Sequence, residues 1–545
     1  MRPVGKRRRS PIVVAGPLGV RIRTRLHLTT SEAETLREIG DFIGRLYRRE
    51  LALRLAQGPI DRQQQAQFRA ERKRALTVDT SSRWAGAITR TVEDQYQLGL
   101  RALNAHVRSM DSAIGTLQAR CALAPGDRDG RITGYRDTAE RFAKSRRLAA
   151  LRGRASRARR LLAEGRPMVV VGGKPLWRTR NRLAEAGMSE VRWREQWDAA
   201  RMFLTADGET GKTGGNETIR VVPVTGYLRV KVPAALVDRF GTHVEIAAPV
   251  TFHHRRQEWR DRIEQNCAVR YDIAFDPCRR RWYLDASWSL EPVQPLLTTI
   301  RSGRVMGVDL NDGHLATCVV DASGNPVGEP TIITMLGQGF PAPRRDGRLR
   351  AAITALLDGA EFAGCGAIVI EDLDFDDARS RGRETLGQGR RGKRFRRTVA
   401  GIPTARFRER LRGMASRRDI AVVAVDPAYT SKAGNRYWRA RLQQQTQTSG
   451  PVVSTHHGAA VAIGRRGLGM KLSCHSSGPR HAQRSVTGQP SSLATASHRS
   501  VRRVASAPSP PAPAGGWNGP EASSTRPRPK TVRAATGRYS LSLTE

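Results

Sequence analysis

Two acidic residues end two apolar segments in the second half of the chain, where they could hold a metal ion. The first segment, "RVMGVDLN", contains Asp309, and the second, "AIVIEDL", contains Glu371. Carboxylates presented side by side at strand ends form the oxygen-rich site that Mg²⁺, a hard octahedral ion, prefers. Two such ions can activate a water and stabilise the leaving oxygen of a phosphodiester. The pattern favours metal-dependent phosphodiester chemistry, with a helix-cap or turn role for each acid as the alternative.

Two further segments bear on a third metal ligand. The segment "IAVVAVDP" ends in Asp426, whose context is typical of an ordinary turn after a strand. The segment "STHHGAAVAIGRRGLG" has the small, apolar residues of a helix packed on a sheet, opens with His456 and His457, and contains no acid. Imidazole is a softer ligand that suits zinc, iron or copper more than magnesium. The two histidines either belong to the site or are plain helix-end residues.

The segments that must position these residues alternate between apolar strands and helical stretches over residues 301–470. Strands with continuous apolar sequence, such as "AIVI", are covered on both faces by helices. Strands alternating with helices indicate an α/β domain.

The rest of the chain divides by its periodicity. Residues 31–217 are mostly helical and basic; Ser31 and Glu34 should form the capping box of a first helix that stops at Gly58. Residues 12–30 alternate apolar and basic residues with a period of two, which predicts a strand with one basic face, and residues from about 218 to 298 have the same period. Residues 1–30 and 218–300 are therefore expected to form a small β-domain, a barrel, that includes a hairpin across "DPCRRR". Residues 471–545 are rich in Ser, Pro, Ala and Arg and should form a disordered basic tail.

The charge balance points to a polyanionic partner. The chain has 94 Lys+Arg against 50 Asp+Glu, a formal net charge of +44. Each phosphate that a cation neutralises releases counterions, so this excess favours binding to nucleic acid. A basic tail or a membrane-surface patch is the alternative, but the arginines run through the whole chain and interleave with apolar positions.

Cysteine spacing and hydropathy exclude several other classes. The six cysteines are scattered without a CxxC pair, which argues against a disulfide framework and a structural zinc site. No apolar run is long enough to span a membrane, and the N-terminal segment is not a convincing signal peptide. A cytoplasmic protein is the expectation.

Four segments in this order resemble the split RuvC-like domain of the TnpB and compact type V CRISPR effector superfamily. They are "GVDLNDGHLATCVVDASG", "VIEDLDF", "VVAVDPAYTSKAGN" and "HHGAAVAIG". The resemblance implies a multidomain protein with an RNase H-like (RuvC) α/β domain at residues 301–470. Residues 31–217 would be the helical recognition domain, and the β-domain of residues 1–30 and 218–300 would be the wedge domain.

The resemblance also assigns roles to the site residues. It places the first catalytic aspartate at Asp309 and the catalytic glutamate at Glu371, both also metal ligands. The third catalytic position, an aspartate in the superfamily, falls on His456, or on His457 if the alignment shifts by one residue. This replacement implies one Mg²⁺ ion and weak or absent cleavage. The interval before His456 lacks the cysteine pairs of TnpB-like relatives, so a reduced target-binding insert without structural zinc is expected.

The implied partners are a guide RNA and target double-stranded DNA. The long N-terminal region and the missing acid are closest in character to the type V-M effectors, which bind target DNA without cutting it; this implies a role in antiviral defence. An active RNA-guided DNA endonuclease of the TnpB or transposon type is the first alternative, and a decayed transposon protein with general nucleic-acid affinity is the second. The basic stretch "RRGKRFRR" should contact phosphates through Arg390, Arg391, Lys393, Arg394, Arg396 and Arg397.

Overall fold

The computed structural model describes residues 9–130, 132–291, 294–335, 340–373, 404–446 and 452–473. The basic stretch at 390–397 and the predicted tail from residue 474 onward lie outside these ranges. The described chain is a mixed α/β structure, which confirms the predicted fold class at this level.

Long helices dominate the first 200 residues. The third of them, α3, has 41 residues and packs antiparallel to α4. The elements of this part are β1 (Ile12–Val13), β2 (Gly19–Leu26), α1 (Thr30–Gln57), α2 (Arg62–Asp79), α3 (Ser82–Ala122), β3 (Arg128–Asp129), β4 (Ile132–Thr133), α4 (Thr138–Ala163), α5 (Lys174–Thr179) and α6 (Glu190–Ala199).

Helix α1 ends before Gly58 as predicted, but its capping box lies two residues earlier than expected. Thr29 accepts a hydrogen bond from the backbone N–H of Glu32, and the Glu32 carboxylate accepts one from the N–H of Thr29. The second Glu32 oxygen accepts a hydrogen bond from the N–H of Ala247 at 2.9 Å. This contact with a distant part of the chain favours Thr29–Glu32 over the pair Ser31–Glu34.

The β-domain consists of two open sheets, so the predicted barrel is wrong for the described residues. One sheet has the order β2-β10-β9-β5, and the other has the order β6-β7-β8. The hairpin across "DPCRRR" is present as β9 and β10. The elements here are β5 (Thr205–Ala206), β6 (Ile219–Val221), β7 (Leu228–Lys231), α7 (Val237–Phe240), β8 (His243–Ile246), α8 (Arg256–Glu264), β9 (Arg270–Asp276), β10 (Arg281–Ser289) and α9 (Leu297–Arg301).

A buried asparagine connects the two sheets where a closed barrel would have continuous strand pairing. The Asn216 side-chain amide donates to the carbonyl oxygens of Ala206 and Val269, and its oxygen accepts from the N–H groups of Thr218 and Ile219. These side-chain bonds satisfy the backbone groups at the junction without a strand ladder. Both sheets share one hydrophobic core with α1 and α3.

The outer face of β2 and β10 holds a buried carboxylate between two arginines. Asp285 is 1% exposed and accepts hydrogen bonds from Arg21 at 2.6 Å and from Arg23 at 2.7 Å. Burial alone would raise the pKa of Asp285, but these hydrogen bonds lower it below its usual value. The carboxylate therefore stabilises the fold in its charged form.

We expect Asp285→Asn to lower the free energy of unfolding by about 1–2 kcal/mol, since it removes the charge that pairs two partly exposed arginines. Glu245→Gln is the matched control, because that carboxylate is exposed and pairs with Arg229 at the surface; its loss should be below about 0.5 kcal/mol. Urea unfolding followed by tryptophan fluorescence tests this, with Trp282 and Trp288 buried on the same strand as Asp285. Equal losses in both variants would contradict the prediction.

The last part of the chain is built on a mixed six-stranded sheet. Its order is β1-β15-β14-β11-β12-β13, where β11, β12 and β13 are antiparallel neighbours and β14 and β15 run parallel to β11. The elements are β11 (Arg304–Leu310), β12 (His314–Val320), β13 (Pro326–Thr334), α10 (Ala342–Phe362), β14 (Cys365–Glu371), α11 (Thr404–Ala415), β15 (Ala421–Val425), α12 (Thr430–Tyr437), α13 (Arg439–Gln445) and α14 (Thr455–Gly467).

The N-terminal segment belongs to two sheets. Ile12 and Val13 pair antiparallel with Ala424 and Val423 at the edge of the six-stranded sheet. A few residues later the chain becomes β2, which pairs with β10 along eight residues. The predicted single strand at 12–30 is therefore two strands, because Pro17 interrupts the pairing and lets the chain change sheets.

Candidate active site

Asp309 and Glu371 lie on neighbouring parallel strands. The register pairs Val308 with Ile370, so the next residue of each strand, Asp309 or Glu371, stands at the same level. Side chains alternate between the two faces of a strand, and both acids share the face that Gly307 presents to α14. Asp309 is 5% exposed. The fold thus brings the two predicted carboxylates together under one helix.

Helix α14 lies on this face because glycine allows its backbone to approach the sheet. A Cβ atom on Gly307 would overlap the carbonyl oxygen of Ala460. At the crossing of α12 over α14, a Cβ on Gly434 would overlap the backbone of Gly458 and Ala459. The small residues noted in the sequence therefore set the positions of two helix N-termini above the acids.

The two histidines at the start of α14 have different environments. His456 Nδ1 lies 2.8 Å from Asp309 Oδ2, and this hydrogen bond raises the pKa of His456. His457 is 2% exposed and belongs to the capping box, where its Nδ1 accepts a hydrogen bond from the N–H of Ser454. Of the two alternatives in the sequence, His456 is the residue that contacts the acid pair.

Glu371 is held by a hydroxyl group. The Thr430 hydroxyl, at the start of α12, donates a hydrogen bond to Glu371 Oε1 and lies 2.9 Å from the carbonyl oxygen of Pro427. Burial raises the pKa of Glu371 to about 7, and the neighbouring charge of Asp309 acts in the same direction. The acid pair therefore carries negative charge that the surrounding side chains compensate only in part.

The other acids near these strand ends have partners of their own. Asp426 accepts hydrogen bonds from the N–H groups of Ala428 at 2.9 Å and Arg9 at 3.3 Å, and the first of these lowers its pKa. This is the turn geometry that the "VDP" context indicated. Asp372 pairs with Arg408. Neither acid contacts the pair Asp309–Glu371 through a hydrogen bond.

Three residues of the site carried no assigned role in the sequence. Asn311 donates a hydrogen bond to Asp309 Oδ2 at 3.0 Å. The ring of His314 packs edge-on against that of His456 with centroids 5.3 Å apart, and burial together with the His456 charge lowers the His314 pKa. Thr430 completes the set. Asn311 and His314 fall inside the motif "DLNDGH", so their proximity to Asp309 in sequence was the available signal. Thr430 is separated from Glu371 by 59 positions, and its place in the motif "AYTS" was the available signal.

The donor set can be compared with what Mg²⁺ requires. Within the described ranges, no group of three or more His, Cys, Asp or Glu side chains forms a ready metal cage. Two adjacent carboxylates, one with a pKa near 7 because of burial, fit one hard divalent ion. The third position offers an imidazole already bonded to Asp309, which does not fit a second hard ion.

The long basic helix α4 exposes its cations to solvent. Its buried residues Leu148, Ala155 and Ala158 lie on one side of the helix, and exposed arginines occupy the other sides. Ala155 and Ala158 pack with Val107 and Met110 of α3, so the opposite side of α4 faces solvent. The exposed arginines are Arg146, Arg147, Arg152, Arg154, Arg157, Arg159 and Arg160.

Comparisons with known proteins give structural similarity only. No protein-family model and no curated protein matches the chain. RuvC of T. thermophilus in complex with a Holliday junction substrate is similar at 16% identity and a TM-score of 0.22, over 30% of this chain and 91% of that chain. The Cas12f1–sgRNA–target DNA complex is similar at 9% identity and a TM-score of 0.30, over 83% of this chain and 99% of that chain. Because the sequence identities and TM-scores are this low, the function has to be inferred from the residues of the site.

A search for membrane-spanning segments found no helix in the described ranges with the length and apolar character that crossing a bilayer requires.

Proposed function

We propose that this chain is a guide-RNA-dependent protein that binds double-stranded DNA, cuts it little or not at all, and silences its target by occupying it. The observation that carries the proposal is the 2.8 Å contact between His456 Nδ1 and Asp309 Oδ2. In this proposal the imidazole stands in for the third carboxylate that the resemblance to RuvC-like nucleases implies. The type V-M effectors are the group whose character this matches.

Binding follows from the charge of the chain. A net charge of +44 supplies many more cations than the acids can pair, and α4 exposes a series of them on one long helix. Sequence specificity would come from base pairing between guide and target, while the protein holds the heteroduplex through its backbone. The stretch 390–397 remains a predicted phosphate contact.

Weak cleavage follows from the ligand set. Asp309 and Glu371 would hold one Mg²⁺ ion, which supplies charge to stabilise a phosphate and to polarise a bound water. Thr430 fixes the orientation of Glu371, and Asn311 fixes that of Asp309. His456 Nδ1 donates a hydrogen bond to the Asp309 carboxylate, and the imidazole brings no negative charge to the site. Two-metal hydrolysis therefore lacks one of its anionic ligands.

An active RNA-guided endonuclease of the TnpB or transposon type is the second candidate. The retention of both acids at one level of adjacent parallel strands favours it, since a protein that only binds DNA does not need them. A histidine can also act as a general base when it contacts a bound water.

Purification of the protein with its co-bound RNA tests the proposal. We expect a discrete RNA, tight binding of plasmid DNA that matches its guide segment, and little double-strand cleavage in Mg²⁺. Asp309→Ala should change the affinity for the matched plasmid by no more than about twofold. Asp309 belongs to the acid pair, whereas affinity comes from contacts with the guide–target heteroduplex. Rapid cleavage that Asp309→Ala abolishes would establish the second candidate, and the absence of a discrete RNA would refute both.

A further inference from the structure

Tyr429 occupies a backbone conformation that its side chain disfavours. Its φ of 66° and ψ of 7° lie in the left-handed region, which bulky residues rarely adopt. The side chain does not compensate by packing, because the residue is 67% exposed. Asparagine or glycine would suit this conformation better. The fold alone therefore gives no reason for a tyrosine here.

The backbone around Tyr429 is fixed on both sides. Its carbonyl oxygen accepts a hydrogen bond from the N–H of Ala433 at 2.9 Å, and the carbonyl oxygen of Ala428 accepts one from Arg466 at 2.9 Å. The next residue, Thr430, is 1% exposed and bonds Glu371. An exposed aromatic ring is thus held in place one residue from a group that contacts the acid pair. Strain kept by its surroundings in this way is found at functional sites.

Two exposed cations lie on the helix that Tyr429 precedes. Lys432 and Arg436 are four residues apart on α12, a spacing that places both on one side of the helix, and Tyr429 is the residue directly before its first turn. Neither makes an ion pair with a carboxylate among the residues that the structure describes, and Ser431 and Asn435, the other exposed residues of α12, are uncharged. We refer to Tyr429, Lys432 and Arg436 as the α12 stripe.

We propose that the α12 stripe binds single-stranded DNA beside the acid pair, with a base stacked on the Tyr429 ring and phosphates on Lys432 and Arg436. Aromatic rings alternating with cations bind single strands because every base has a stacking face and every nucleotide a charge. A duplex offers no free base faces to an exposed ring. The choice of DNA rests on the proposed function, in which pairing with the guide displaces one DNA strand.

Photochemical cross-linking of the full chain, purified with its bound RNA, tests the stripe. The probe is an oligodeoxythymidine with 5-iododeoxyuridine at one position, and cross-linked residues are identified by mass spectrometry. We expect a cross-link at Tyr429 that Tyr429→Phe retains and Tyr429→Asn loses. Binding of the same oligonucleotide at about 0.5 M salt, where phosphate contacts are weakened, should fall roughly 5- to 100-fold in Tyr429→Asn and remain near wild type in Tyr429→Phe.

The same set of variants shows whether a substitution acts by disturbing the fold. Tyr429→Asn should unfold at the same or a higher temperature than the wild type, because asparagine tolerates the left-handed conformation. Phe362 is 97% exposed at the end of α10, and Phe362→Asn should change neither cross-linking nor binding. Lys432→Gln should make the decrease of affinity with salt concentration less steep, by the amount that corresponds to about one lost phosphate contact.

Three outcomes would overturn the inference: no cross-link at Tyr429, equal binding by wild type and Tyr429→Asn, or equal loss in Tyr429→Phe and Tyr429→Asn. A cross-link to an oligoribonucleotide but not to the DNA probe would also overturn it, since the partner would then be RNA. Failure of the wild type to bind a guide-matched plasmid, with the Tyr429 cross-link present, would refute the proposed function and leave the stripe standing.

Discussion

Replacing His456 by aspartate should raise Mg²⁺-dependent cleavage of a guide-matched plasmid by roughly 10²-fold, the scale of one well-placed electrostatic group in an active site. His456 Nδ1 lies 2.8 Å from Asp309 Oδ2, so a carboxylate on the same helix position would stand beside both acids. It would add the anionic oxygen ligand that a second Mg²⁺ ion requires. The measurement is the rate of plasmid linearisation by the purified RNA–protein complex at fixed Mg²⁺ concentration.

His456→Asn is the matched control for this prediction. Asparagine has the shape of aspartate and also removes the imidazole, but it adds no charge, so it should leave cleavage near the wild-type rate. Binding of the matched plasmid should be the same in all three proteins, because specificity comes from the guide. If asparagine and aspartate raise cleavage equally, the imidazole blocks the site sterically and the missing charge is not the cause. If neither changes the rate, His456 does not limit cleavage.

Gly307→Ala should destabilise the six-stranded sheet and α14 by about 3 kcal/mol, at the upper end of the cost of inserting one carbon into a packed interior. The new Cβ would overlap the carbonyl oxygen of Ala460, and backbone atoms on both sides cannot move apart as a flexible side chain would. Since α14 has to shift, His456 should leave Asp309. Hydrogen exchange of the β11 and α14 peptides, read by mass spectrometry, measures the local opening free energy directly.

Gly366→Ala on the neighbouring strand β14 provides the control. A Cβ at Gly366 meets nothing within 4 Å, so we expect exchange rates equal to or slower than those of the wild type. The alanine also reduces the freedom of the unfolded chain. Unchanged exchange in Gly307→Ala would mean that the backbone of α14 does not approach β11 closely at Gly307, and the placement of His456 would lose its support.

Local patterns identified the strands and the acids at their ends. Asp309 and Glu371 follow apolar runs that only a covered sheet accommodates, and parallel strands present their carboxyl ends at one edge, so their proximity was predictable. The hairpin across "DPCRRR" was predictable for the same reason, because its strands alternate with a strict period of two and are adjacent in sequence.

Features that depend on distant contacts were not predictable in this way. The capping box moved to Thr29–Glu32 because Glu32 also bonds Ala247, more than 200 residues away. The predicted barrel is two sheets, with Asn216 bonding backbone groups on both sides of their junction. Thr430 bonds Glu371, and Asn311 bonds Asp309. These contacts depend on which face of each strand meets which helix.

The sequence by itself determined the class of the last domain, the positions of its two acids and the strongly cationic character of the chain, since periodicity and composition act locally. It left open whether His456 or His457 takes part in the site, because the two are adjacent and of the same type. Only the tertiary structure decided this. The turn that caps α14 uses His457, and the close packing at Gly307 sets the helix rotation that turns His456 onto Asp309.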